Sequence, residues 1–159
     1  MEGKYILARY LLLGFILAIA SWQDLRYRRI FWPLPAAGIF LAGAGNLLVG
    51  ELTVREVGGG LLLGLLLILV SILSRNAIGM GDALLVALLG TALGFGEALL
   101  IFWFASFAAA GLGLFAWRMG RGKERGNRIR NYALPFAPVL SLTGLAIEVF
   151  CRILPGLLS

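Results

Sequence analysis

The chain has 159 residues, of which 60% are apolar and 14% charged, where a water-soluble domain carries about 25% charge. Its mean hydropathy of +0.94 is spread along most of its length, which excludes a soluble domain held by one terminal anchor. With no histidine and a single cysteine, Cys151, it has no zinc ribbon, no Cys/His nucleophile pair, no haem attachment motif and no internal disulfide.

A helix needs about 17 to 25 predominantly apolar residues to cross a bilayer, and six stretches meet that test. In chain order they are 5–22, 31–49, 57–73, 78–95, 98–117 and 132–154. The breaks between them are charged or glycine-rich: 24–29, 50–56, 74–76, 94–97 and 118–130. The expected fold class is therefore all-α, a polytopic integral membrane protein of about six transmembrane helices. Residues 1–159 form a single membrane-embedded domain in this reading. The turn at 94–97 is required, because without it the fourth and fifth stretches merge into a helix far too long for one crossing. The first stretch ends in Ala18-Ile19-Ala20, as a cleaved signal can, but positive charge after it exceeds that before it, which orients a retained helix.

Cytoplasmic loops collect Lys and Arg during insertion. Arg26, Arg28, Arg29, Arg75, Arg118, Arg121, Lys123, Arg125, Arg128 and Arg130 fall on one side, and Lys4, Arg9, Arg55 and Arg152 on the other. The first, third and fifth connections are thus expected in the cytoplasm. The basic run 118–130 reads as an orientation signal, not as a nucleic-acid site. Gly43 to Gly45, Gly111 and Gly113 read as small residues for close helix packing.

Of the eight acidic residues only Asp24 and Asp82 are aspartates. Glu2, Glu51, Glu56 and Glu124 read as solvated charges, Glu97 marks a turn, and Glu148 can pair with Arg152 one turn on. Asp82 closes Gly79-Met80-Gly81-Asp82 where the fourth stretch begins. It lies about one turn, roughly 6 Å, inside that stretch, and the two glycines let a backbone or an extended peptide come close to it. Asp24 opens Asp24-Leu25-Arg26-Tyr27-Arg28-Arg29-Ile30, directly after the first stretch. Taken alone it reads as a loop charge balancing three arginines, yet the loop count sets both aspartates on one membrane face. Two carboxylates sharing a site do not both ionise easily, so one keeps its proton. Such a pair can activate water against a peptide carbonyl and protonate the departing amine, with no histidine, cysteine or metal.

These residues resemble the type IV prepilin peptidases, membrane aspartic proteases with a Gly-x-Gly-Asp motif. The segment from Asp24 to Ile30 resembles the family's first aspartate segment, and Gly79-x-Gly81-Asp82 with Leu85 and Gly90 its second. Gly58 to Gly64 is similar to the stretch before that motif, and Leu134-Pro135-Phe136-x-Pro138 with Gly144 to the final-helix signature. The resemblance implies that Asp24 and Asp82 are the catalytic residues and that Gly79, Gly81, Pro135 and Pro138 shape the active site or its substrate contacts. It implies no metal and no cofactor. The implied partners are the lipid bilayer and a prepilin-like membrane protein, cut at the cytoplasmic face of the cell membrane just after a glycine that ends its basic leader.

Two departures stand out. Phe31 and Trp32 replace the family's Pro and Asn, and Leu84 replaces a Lys that would favour an ionised Asp82. The chain also lacks the cysteine-bearing cytosolic segment of the longer, bifunctional members, so it resembles the short peptidase-only forms that serve tight-adherence pili or archaeal flagellins. The alternative readings are a small transporter or channel subunit in which the aspartates bind a proton or cation, and an inactive scaffold derived from the family. A transporter site is expected near the midplane, whereas both aspartates fall at one face. The oligomeric state is left open by the sequence.

Overall fold

The computed structural model describes residues 2–27, 29–50, 52–74, 79–120 and 136–148. Among these it is all-helical, with no strand: α1 (Glu2–Tyr27), α2 (Pro33–Val49), α3 (Val54–Leu73), α4 (Met80–Leu93), α5 (Phe95–Gly120) and α6 (Phe136–Glu148). Among the described residues two helices are both long and apolar enough to cross a membrane, Val54–Leu73 and Phe95–Phe115. Their outward faces carry Leu65, Leu66 and Leu69 on α3 and Trp103, Phe104 and Phe107 on α5, all exposed. Contiguous large side chains of this kind are a surface for lipid, not for water.

The core forms around α4, which packs against every other helix. Its sequence is apolar on all sides, and Leu85 to Leu93 is buried without interruption, as a helix with no polar face must be. Close approach comes from glycine on both partners. A methyl on Gly60 of α3 would collide with the main-chain carbonyl of Gly90 of α4, and one turn along Gly64 faces Ala87 just as tightly. The expected packing glycines are corrected here: Gly43 and Gly111 have open space where a Cβ would stand, so the tight crossing belongs to the 58–64 stretch.

The helix ends explain the other differences from the expected boundaries. The helix α1 continues past Trp22 to Tyr27, so Asp24 lies in its last turns and not in a charged break. At α3, Thr53 Oγ1 accepts the Glu56 N–H at 3.3 Å while Glu56 Oε2 accepts the Thr53 N–H at 2.8 Å. This reciprocal cap starts the helix at Val54 and gives Glu56 a structural role. Between α4 and α5 the expected turn contracts to Gly94 alone, whose φ of 93° suits glycine. The Thr91 carbonyl, in the last turn of α4, accepts from buried Asn46 Nδ2 of α2 at 2.6 Å. Pro135, Arg75, Arg152 and the basic residues of 121–130 lie outside the described residues, as do the expected flanks of the sixth helix.

Candidate active site

The ends of α1, α4 and α6 converge on the two aspartates. Asp24 is half-buried, and its Oδ2 accepts the main-chain N–H of Ala137 at 3.0 Å. The first amides of a helix have no partner within it, and Pro138 has no N–H to offer, so this turn of α6 presents few donors. Ala137 supplies one of them to Asp24, at the helix end where the dipole favours an anion. One turn deeper, Ser21 Oγ and Ser141 Oγ are 2.8 Å apart, and Ser141 Oγ also lies 2.8 Å from the Ala137 carbonyl. A hydroxyl rung therefore fastens α1 to α6 below the carboxylate, in addition to the amide contact at the carboxylate itself.

Asp82 stands in the first turn of α4, third after the N-cap Gly79. Its N–H donates to the Gly79 carbonyl at 3.0 Å, and its side chain is half-buried. A methyl at Gly79 would sit 2.8 Å from Asp82 Oδ2, so the carboxylate folds back over the bare N-cap. The two predicted carboxylates are thus carried by helices that touch each other, Asp24 in the last turns of α1 and Asp82 in the first turn of α4.

Gly81 has a different neighbour from the one expected. A Cβ there would lie 2.6 Å from Cβ of Ile30, so the space read as room for a peptide backbone is filled by the connection between α1 and α2. That connection has no regular secondary structure at Arg29, Ile30 and Phe31, and the Phe31 N–H donates to Gln23 Oε1 at 3.0 Å. Beside it lies an open cleft of about 410 Å³ lined by Gln23, Tyr27, Arg29, Ile30, Phe31 and Trp32. Pro138 is half-buried in the first turn of α6, next to the amide that holds Asp24, and Pro135 lies outside the described residues. Among the described residues no group of three or more Asp, Glu, His or Cys side chains gathers as a metal site would require.

Sequence reasoning missed the Ala137 amide, Ser21, Ser141 and Gln23. A main-chain donor has no letter of its own; the available signal was the Pro135-x-x-Pro138 spacing, which marks a helix start with few N–H groups. Ser21, three residues before Asp24, shares its helix face.

The sequence model of the type IV leader peptidase family matches residues 11–114. The chain belongs to that family. Type IV leader peptidases are hydrolases of membrane-protein substrates, and membership together with the two long apolar helices makes this a membrane protein. The matched span contains both aspartates and the Gly79 to Asp82 tetrad, while α6 with Ala137 and Ser141 lies beyond it. Neither a curated protein nor a solved structure matches the chain significantly.

Proposed function

We propose that the protein is a six-span aspartic endopeptidase that removes the basic leader of a prepilin-like precursor at the cytoplasmic face of the cell membrane, with Asp24 and Asp82 as its catalytic pair. Support comes above all from the placement of these two carboxylates, one in the last turns of α1 and one in the first turn of α4, on helices that touch, in a chain of this peptidase family.

In the reaction one carboxylate takes a proton from water as the oxygen attacks the scissile carbonyl. The other, protonated, delivers its proton to the nitrogen as the C–N bond breaks. The pair titrates as a unit, so the two roles belong to the dyad and not to fixed residues. Asp24 keeps one oxygen on the Ala137 amide and has the other for water. The precursor's apolar helix lies among the helices of the enzyme, and its leader projects into the cytoplasm. The bond to be cut is extended, since a helical peptide engages its own carbonyls.

The test is cleavage of a co-expressed prepilin, followed by gel shift, with the cut position read by mass spectrometry. Asp24→Asn and Asp82→Asn should each abolish the shift at unchanged membrane levels, because asparagine keeps size and polarity but cannot exchange the proton. Retained cleavage in either variant removes that residue from the pair.

A further inference from the structure

The two aspartates are carried by different helices, so their separation depends on whatever ties the last turns of α1 to the first turn of α4. One short segment touches both. Phe31 donates its main-chain N–H to Gln23, the residue before Asp24. Its neighbour Ile30 lies on Gly81, the residue before Asp82, with Cβ 2.6 Å and Cδ1 3.1 Å from the place a methyl would occupy. Ile30 is half-buried and packs onto the same core as α4. The nearest of its atoms, Cβ, is fixed to the main chain, so no change of rotamer would make room for a side chain at Gly81.

We propose that Ile30 is a positioning residue for the aspartate pair: seated on the bare face of Gly81 and held by the Phe31–Gln23 hydrogen bond, it sets the distance between Asp24 and Asp82. Gly81 is then glycine in order to admit Ile30, not the main chain of a substrate. For its catalytic consequence the inference rests on the peptidase reading above; its geometry stands apart from that reading.

The experiment uses the full chain in its membrane, with Cys151→Ser as background. Cleavage kinetics on a prepilin-like precursor are compared for Gly81→Ala, Ile30→Val, and Gly81→Ala combined with Ile30→Gly. Gly81→Ala should lower kcat by about tenfold or more with KM nearly unchanged, as a displaced catalytic group does. Adding Ile30→Gly should restore most of that loss, the alanine methyl taking the space the isoleucine vacates. Ile30→Val, which keeps Cβ and both its branches, should cleave like the parent. A double variant as slow as Gly81→Ala alone overturns the proposal. In a second arm Asp82→Cys is labelled with a charged thiol reagent in the same backgrounds. Gly81→Ala should change the labelling rate several-fold and Ile30→Gly should reverse the change; equal rates throughout overturn the proposal. This arm needs no catalysis, so a chain that cuts no precursor refutes the peptidase reading while the labelling still decides the place of Ile30. Should Gly81→Ala fail to accumulate, recovery of its membrane level by Ile30→Gly carries the same decision.

Discussion

Ser21 and Ser141 meet hydroxyl to hydroxyl at 2.8 Å, joining the first and last helices one turn below the point where Asp24 takes the Ala137 amide. Ser141 also has the Leu17 carbonyl at 3.4 Å, so its single oxygen serves both helices. A carboxylate held only by its own helix would swing with that helix; here a second helix fixes its bearing.

Removing that rung should loosen Asp24 without removing it. A net hydrogen bond is worth about 0.5–1.5 kcal/mol, so Ser141→Ala is expected to slow cleavage by roughly three- to tenfold. Ser141→Thr keeps the hydroxyl and should stay near the parent rate. Timed gel-shift assays at equal membrane levels decide it, and an unslowed alanine variant would show that the rung does not bear on Asp24.

The crossing of α3 on α4 should tolerate no added atom. Gly60→Ala drives a methyl into the Gly90 main chain, and overpacking of this kind costs about 1–3 kcal/mol. Thermal unfolding in detergent should show a clearly lowered midpoint. Gly43→Ala and Gly111→Ala, which meet open space, should unfold with the parent.

A dyad that needs one protonated and one ionised carboxyl loses activity when both are protonated and again when both are ionised. Cleavage against pH should therefore be bell-shaped, with limbs that belong to the pair. Leu84→Lys places a cation near Asp82 and favours its charged form, so the bell should move toward lower pH. A single sigmoid, or a bell that Leu84→Lys leaves in place, would contradict shared titration.

The aspartates were legible because an ionisable group at the edge of an apolar stretch is costly, and the charge count put both at one face. The extent of α1 was not. Hydropathy measures apolar length, and it stops at Trp22, whereas the helix runs on through Gln23, Asp24 and Arg26 with polar side chains. The start of α3 was written in Thr53-x-x-Glu56, but those letters fell in a stretch already read as a polar break. Glycine number alone could not separate Gly60, which meets a backbone, from Gly43, which meets nothing, because contact between helices is a property of pairs.

The length of α4 bears on how solvent reaches the reaction. Fourteen residues rise about 21 Å, short of a hydrocarbon layer about 30 Å thick. Where the helices around α4 span such a layer, one or both ends of α4 lie below its surface, in a recess walled by those helices. On the proposed peptidase reading, a recess at the Asp82 end gives the water that hydrolysis consumes a way to the pair and shortens the path by which a charged leader leaves. The thickness of the surrounding lipid thereby becomes a variable of the enzyme, and thicker bilayers should slow it.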